Sequence, residues 1–594
     1  MNTAEYIVKK LEELGVNDFF GLPGDYNFNI IYAVQNNSNT RWVGCTNELN
    51  AGYAADGYAR MRGYGAVVTT YGVGELSAIN ALAGSFAENV PVVSIVGVPS
   101  TKTIANKELT HHNFQDVNFY TFAETYKSVT AATAFLTRDN AKLEIDRVLK
   151  ILVKEKKPIY IAIPSDIAIM DITDRSVSYE WNSNKENLQE AARLISDKIN
   201  KSKRPVILGD VLIKRFDAKL EYKEFVEKLG VPTTNFIMGS NLVSTSYENY
   251  VGGYYGNIRN PIAQKYVEDS DCLISVGTIY TDLNSVGFNL KQKINKNIAI
   301  YGTYVYIDGK KINNIKMSDV LTEVTKLVNK KDLKADKPNI GYKHKYPENE
   351  PLTSDYIYSR LQEFFKDNDI IISETGIVPH GISQTKFPDN ADIEYQLLWA
   401  SIGWATPATL GVCLAKPNSR IILVTGEGAH QITLMEIGNM LRLGIKPVVI
   451  VINNDGYTIE RVLSNDENNE FNNIVKINYA KLARAFDGDI WATKVTTAED
   501  FDKALKVTQI MNKMCYIELC TDKMDMPSIT KDLMVEMRKR NKDTKPKAIS
   551  SINPDRKSFE EVEISPYSSG LDYETVVHKV YPINTSNDNS EEEK

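Results

Sequence analysis

Glu427 stands between two glycines, Gly426 and Gly428, and further along come Asn453-Asn454-Asp455-Gly456. A carboxylate at Glu427, an amide oxygen at Asn454 and a nearby helix N-terminus suit a hard cation bridging to a phosphate. Mg²⁺ fits, because it takes oxygen ligands and usually shares them with substrate phosphates. Four other places carry titratable groups. Glu48 opens the small-residue stretch NELNAGYAADGYAR, and Asp25 lies in GLPGDYN. His111 and His112 are adjacent, and Glu460 follows Gly456 by four residues. Taken singly, each has an ordinary explanation. Glu48 could answer a helix dipole, Glu460 could be a surface charge, and a histidine pair with no third ligand nearby is usually solvated.

The elements that must position these groups are legible from apolar runs. Residues 421–424 and 448–452 read as buried strands, and Leu434, Ile437 and Leu441 recur at helical spacing, with Gly444 at the helix end. Strand, helix, strand makes a βαβ unit with parallel strands. Glu427 and Asn454 then sit past neighbouring strand ends, where open α/β sheets bind ligands.

The whole chain has 594 residues, 43% apolar and 24% charged, with a net charge of −7. It predicts three or four domains at ~150 residues each. The charge points to neither nucleic acid nor membrane as a partner. The five cysteines lack CxxC spacing and the six histidines form no zinc pattern, so a reduced, cytoplasmic setting is expected. MNTAEYIVKKLEEL reads as an amphipathic helix rather than a targeting peptide. The apolar stretch 66–99 is interrupted by Glu75 and Glu88 and is not a membrane span.

The expected fold class is α/β, with three doubly wound parallel-sheet domains. Their expected limits are 1–178, 187–335 and 351–528, with a Lys/Asp-rich linker over about 330–350 and a charged, partly disordered tail at 529–594. Strands are expected in DFFG, AVVTTYG, PVVSIVGVP and KPIYIAIPSD, then in RPVILGD and DCLISVG.

The GEG-to-NNDGYT spacing resembles the thiamine-diphosphate motif. The ordered set NELNAGYAADGYAR, TTYGVGELSAINALAGSFAE, LLWASIGWATPATLG and NNDGYTIER resembles the pyruvate decarboxylase family over residues 1 to about 528. That resemblance implies pyrimidine-binding (1–178), middle (187–335) and diphosphate-binding (351–528) domains, in that order. It implies Mg²⁺ held by Glu427, Asn454 and the Gly456 carbonyl. Glu427 replaces the usual Asp, and its extra methylene pushes the carboxylate outward. Thiamine diphosphate would contact Glu48, Ile377, Ala400, Ser401, Ile402, Gly428, Ala429, Asn454, Tyr457, Thr458 and Ile459. Glu48 would activate the cofactor, the Ala400 carbonyl would accept from its 4′-amino group, and Ile402 would hold its bent shape. Asp25, His111, His112 and Glu460 would handle protons and the substrate carboxylate, with the Glu460 carboxyl raised.

The implied reaction is non-oxidative decarboxylation of a 2-oxo acid to an aldehyde and CO₂. The implied assembly is a homodimer or dimer of dimers with sites shared between subunits. Several positions depart from the pattern. Ile377 replaces a polar residue. Leu283 replaces an aromatic, which suggests a pocket roomier than one for pyruvate alone, so the implied substrate is pyruvate or a bulkier branched or aromatic 2-oxo acid such as phenylpyruvate. Pro379 lies in the specificity loop, and Leu212 and Ile213 stand where some relatives carry a regulatory cysteine. The competing reading is a non-catalytic thiamine-diphosphate sensor. A flavin-linked oxidase or a synthase of the same fold is a further alternative.

Overall fold

The computed structural model describes residues 1–173, 177–256, 258–285, 297–343, 350–464 and 466–543. Three sheets follow one another along the chain, each covered by helices. The first contains β1 (Asp18–Gly21), β2 (Arg41–Gly44), β3 (Gly65–Thr70), β4 (Val92–Val98), β5 (Ala132–Phe135) and β6 (Ile159–Pro164), in the order β2-β1-β3-β4-β6-β5. All its pairings are parallel. Strands β3, β4 and β6 are buried along their whole length, as expected of strands covered on both faces. The short, partly exposed β2 and β5 show no such run and were not legible in the sequence.

The second sheet has β7 (Pro205–Gly209), β8 (Thr233–Asn235), β9 (Tyr250–Gly253), β10 (Cys272–Val276), β11 (Ile298–Ile300), β12 (Tyr304–Ile307) and β13 (Lys310–Asn313). Its order is β13-β12-β11-β10-β7-β8-β9. This sheet is mixed rather than wholly parallel, because β11-β12 and β12-β13 pair antiparallel. Asp308-Gly309 turns the last hairpin with both residues at positive φ, the conformation that a two-residue turn between twisted strands requires.

The third sheet has β14 (Ile370–Ser373), β15 (Asp392–Tyr395), β16 (Ile421–Gly426), β17 (Val448–Asn453), β18 (Ile490–Val495) and β19 (Met514–Cys520), in the order β15-β14-β16-β17-β19-β18. It is parallel throughout.

The first and third parts meet where helix Glu48–Arg62 crosses helix Ala405–Ala415. A Cβ on Gly57 would lie 2.3 Å from the Ala408 carbonyl oxygen, and one on Gly411 would lie 1.9 Å from that of Ala54. Only glycine permits that approach. A buried ionic cluster extends the junction to the second part. Arg60 donates to Asp56 (2.6 Å), Glu88 (2.8 Å) and Glu394 (3.3 Å), and Arg215 donates to Glu394 (2.6 Å). Burial opposes charge on Glu394, but Arg215 and Lys214 outweigh it and hold the carboxyl at about 2.

One expectation is corrected. Residues Ser528–Asp543 form a helix, although the segment from 529 reads as a charged tail. Ile529, Leu533 and Met534 are buried on the core that includes Val378 and Ile382, and spacing of this kind is too sparse to stand out among the surrounding charges. The remainder of the expected tail, from 544, lies outside the described residues. Among the described residues no helix is long and apolar enough to cross a membrane.

Glu75, Asp210 and Glu374 are buried carboxyls that form no ion pair among the described residues. Burial raises Glu75, Asp210 and Glu374 to about 7 each, against the pull of the N–H and O–H groups that donate to them. Between the unfolded values near 4 and the folded ones near 7, the folded chain binds more protons. Their contribution to stability is therefore full at low pH and is lost as pH rises through 7. His380 and His430, held neutral by burial, act in the opposite sense below their unfolded value of 6.5. The carboxyl effect is best read as a difference. Chemical denaturation of the ligand-free protein should show the wild type losing stability relative to Glu75→Gln between pH 6 and 8. Parallel curves across that interval would remove Glu75 from the account.

Candidate active site

Strands β16 and β17 lie parallel with Gly426 opposite Ile452, so the residues after them share one edge of the sheet. Glu427 is the first residue of helix Glu427–Thr433 and is almost fully buried. Its Oε1 accepts from the Gly456 N–H at 2.7 Å. Burial raises the carboxyl to about 7, while the N–H groups of Gly456, Asn454 and Gly428 pull it down. Among the described residues no lysine or arginine forms an ion pair with it. A buried carboxylate with only amide donors around it is the group a bound cation would neutralise. Asn454 is buried beside it. The helix predicted through Leu434, Ile437 and Leu441 is interrupted. It runs as Glu427–Thr433 and Glu436–Arg442, with Gly444 at φ +67° beyond the end.

The Asn454–Gly456 turn is shaped by a residue that the sequence did not single out. Asp455 has φ +60° and Gly456 φ +133°, and a Cβ on Gly456 would lie 2.3 Å from the Asn472 carbonyl oxygen. The buried guanidinium of Arg461 donates to the carbonyls of Asn454 (3.3 Å) and Asp455 (2.5 Å) and to Asn473 Oδ1 (3.1 Å). Its only sequence signal was its place in NNDGYTIER. Gly428 makes room for the Tyr457 ring, since a Cβ there would lie 2.6 Å from it. Thr458 Oγ1 donates to the Lys523 carbonyl at 2.7 Å. Ile459 packs on the same core as the buried Ile377.

The loop from Ala400 to Gly403 approaches from the neighbouring helix. Ala400 has φ +53° and Gly403 φ +91°. Ile402 is 40% exposed, an unusual state for an isoleucine beside a buried site. Thr433 Oγ1 donates to the Gly403 carbonyl at 2.7 Å, and a Cβ on Gly403 would lie 3.3 Å from the Ala429 carbonyl oxygen. The loop is thereby tied to the helix that begins at Glu427. Ser401 Oγ shares hydrogen bonds with Tyr53 (2.6 Å) and Asn80 (3.1 Å), and Trp399 donates to Asn80 (2.8 Å). Tyr53 and Asn80 belong to the first part of the chain, and their role is visible only in three dimensions.

The titratable groups of the first part form a second cluster. His111 Nε2 lies 3.1 Å from Asp25 Oδ2, and its ring stacks on Tyr26. The His111 and His112 rings meet edge to face at 4.4 Å. The expectation that no third ligand lies near the histidine pair is thus corrected. Asp25, His111 and His112 all bring a donor atom within 4.8 Å of one another, because the turn after β1 folds against the segment after helix Thr101–Ala105. Two nitrogen donors suit a softer ion than Mg²⁺. Glu48 is on the same edge, because Thr70 lies between it and Gly24 on the Asp25 turn. A Cβ on Gly74 would lie 3.2 Å from Glu48 Oε1 and 3.1 Å from the Thr70 methyl, and one on Gly24 would lie 2.6 Å from Thr70 Cβ. Thr70 Oγ1 and the side-chain amide of Asn113 are buried there without a hydrogen-bond partner.

Among the described residues no hydrogen bond or ion pair joins the Asp25, Glu48, His111 and His112 group to the Glu427, Asn454 and Gly456 group. Glu460 is exposed on helix Thr458–Ser464.

Models of three families match consecutive parts of the chain: the N-terminal thiamine pyrophosphate-binding domain (residues 1–121), the central domain (189–325) and the C-terminal thiamine pyrophosphate-binding domain (382–519) of thiamine pyrophosphate enzymes. A pyruvate decarboxylase of Kluyveromyces lactis is 33% identical over 542 residues, covering 88% of this chain and 96% of that protein. The chain belongs to the pyruvate decarboxylase family. Pyruvate decarboxylase isozyme 2 of Saccharomyces cerevisiae is 32% identical, covering 88% of this chain and 96% of that protein. An alpha-keto-acid decarboxylase of Mycolicibacterium paratuberculosis is 32% identical, covering 89% and 95%. Within this family the three doubly wound parts and the two thiamine pyrophosphate-binding domains are accounted for. Both clusters described above fall on those two domains.

Proposed function

We propose that this protein is a thiamine-diphosphate- and Mg²⁺-dependent decarboxylase that converts a 2-oxo acid to an aldehyde and CO₂. The observation that carries the reading is the retention of two chemically distinct clusters on the two cofactor-binding domains. One is an oxygen set with a buried, uncompensated carboxylate. The other is a set of proton carriers. A sensor would need the first and not the second.

Glu427, Asn454 and the Gly456 carbonyl would hold Mg²⁺, and the start of helix Glu427–Thr433 favours the diphosphate. Gly428, Ala429, Tyr457, Thr458, Ile459 and Ile377 would surround that end. Ala400, Ser401 and Ile402 would face the rings. The cofactor supplies an electron sink for the departing carboxylate electrons. The chain's own residues do the rest. Glu48 gives and takes the proton that readies the cofactor. Asp25 and His111, already in contact, pass protons at the substrate together with His112. Glu460 faces the substrate carboxylate.

The reading brings in a second copy of the chain, because among the described residues no hydrogen bond or ion pair joins the two clusters within one. Exposed apolar side chains border both: Val73 and Leu76 near Glu48, and Ile402, Ile432 and Met435 near Glu427. Contact between copies would bury them and complete two sites. A homodimer is the smallest assembly proposed, and a dimer of dimers and a cytoplasmic setting are the fuller form.

Leu283 leaves the pocket wider than an aromatic would, so bulkier 2-oxo acids should be accepted. CO₂ release from pyruvate, a branched 2-oxo acid and phenylpyruvate, with and without Mg²⁺ and thiamine diphosphate, tests both statements. Release that needs both additions, with kcat/KM for phenylpyruvate at or above that for pyruvate, is expected. A strong pyruvate preference would refute the wider pocket. Cofactor binding without release of CO₂ from any substrate would replace the enzyme with the sensor.

A further inference from the structure

Glu374 is fully buried and belongs to none of the groups assigned so far. It follows β14 directly. Its N–H donates to the Val424 carbonyl at 3.0 Å, which extends the β14-β16 pairing toward Gly426 and Glu427. Its side chain points the other way, to the Ala400–Gly403 loop. Oε2 accepts from the Ala405 N–H at 3.2 Å and Oε1 from the Thr375 N–H at 3.0 Å, and the Gly403 N–H lies near enough to favour the charged carboxylate. Ala405 begins an eleven-residue helix whose first N–H groups have no partner within the helix. A carboxylate there satisfies them and suits the positive end of the helix dipole.

These contacts make a single link. The backbone of Glu374 is fixed to the strand that carries the metal-side glutamate. Its carboxylate holds Ala405, two residues beyond the end of the loop that carries the Ala400 carbonyl and Ile402. That loop holds two left-handed residues, Ala400 and Gly403, a conformation that costs an alanine energy unless the surroundings impose it. Gly403 is two residues from Ala405, whose N–H donates to the carboxylate. Thr375 and Gly376 then lead to Ile377, so both walls proposed around the cofactor meet at this side chain.

We infer that Glu374 is a positioning residue for catalysis, a strut that sets the distance and orientation of the Ala400–Ile402 loop relative to the Glu427 metal site. The inference rests on the cofactor reading proposed above. It predicts that a neutral residue of the same size fails. Gln offers one acceptor oxygen, and its NH₂ must face a backbone N–H where the carboxylate accepted. One loop N–H is left unpaired and the loop shifts.

The test compares wild type, Glu374→Gln and Glu374→Asp as full-length proteins. Three quantities are read: melting of the ligand-free protein, thiamine diphosphate affinity by titration calorimetry with saturating Mg²⁺, and kcat and KM for CO₂ release. For Glu374→Gln, melting within a few degrees of wild type is expected. Cofactor affinity should fall at least about tenfold, and kcat measured at saturating cofactor should also fall at least about tenfold with KM little changed. Glu374→Asp keeps both acceptors with a shorter reach and should recover part of kcat. A lowered melting temperature with wild-type affinity and kcat would make Glu374 merely structural and overturn the inference. If Glu374→Gln loses its fold, the Glu374→Asp values decide, and wild-type affinity and kcat there would also overturn it. Failure of the wild type to bind thiamine diphosphate would instead remove the underlying reading.

Discussion

Glu48→Gln should lower kcat for CO₂ release by about 10²–10⁴-fold, roughly 3–5 kcal/mol of barrier, while thiamine diphosphate still binds. The change keeps the size of the side chain and its capacity for hydrogen bonding, but a carboxamide neither gives nor takes a proton at neutral pH. The fold should be indifferent to it. Asn47, not Glu48, caps the helix by accepting from the Asn50 N–H at 2.8 Å. Glu48 takes part in no ion pair among the described residues, and its carboxylate lies beside Gly74, where the missing side chain leaves it room. The checks are CO₂ release at saturating cofactor and cofactor affinity by calorimetry. A variant within a few-fold of wild-type kcat would falsify the role given to Glu48. A variant that loses both affinity and kcat would show that the carboxylate holds the cofactor rather than activating it.

Glu427→Gln should abolish the stabilisation that Mg²⁺ and thiamine diphosphate confer together. A ligand at a hundred times its dissociation constant adds about 2.7 kcal/mol to folding stability. Even supporting residues around a metal cost about 10–100-fold in affinity when lost, and a direct ligand should cost about 10²-fold or more, which consumes that gain. The ligand-free variant should be at least as stable as wild type at pH 8. Wild-type Glu427 is then an ionised, buried carboxylate with no cation beside it, and the amide keeps an oxygen for the 2.7 Å bond from Gly456. The measurement is thermal melting with and without Mg²⁺ and cofactor. An undiminished shift in the variant would move the metal away from Glu427. Loss of stability without ligands would show that the charge serves the fold instead.

Much of the fold was open to inspection in the linear sequence. The apolar runs that become β3, β4, β6, β16 and β17 are continuous because both faces of a parallel sheet are covered, and they end where glycine, asparagine or proline takes over. The order of strand and helix then required parallel pairing, and so put Glu427 and Asn454 on one edge. Motif residues close in sequence, such as Asn454, Gly456 and Tyr457, needed nothing more.

Other features escaped because no local pattern carries them. Edge strands β2 and β5 are short and half solvated. The antiparallel turn to β12 and β13 depends on a single Asp-Gly pair. Helix Ser528–Asp543 hides the buried Ile529, Leu533 and Met534 among charges.

Residue types and local spacing determined that this chain forms α/β layers and that Glu427 and Asn454 follow neighbouring strand ends, while the family resemblance singled out Glu48, Asp25, the histidine pair and Glu460. Tertiary structure alone decided how those groups are supported. Arg461 ties the Asn454–Gly456 turn, Glu374 joins strand to loop, and Tyr53 and Asn80 reach Ser401 across more than three hundred positions. It also decided that Asp25 meets His111, and that among the described residues no hydrogen bond or ion pair joins Asp25, Glu48, His111 and His112 to Glu427, Asn454 and Gly456. The reason is physical. Burial and backbone periodicity leave a local trace in sequence. A hydrogen bond between distant segments depends on where two whole layers come to rest, and no single stretch of residues records that.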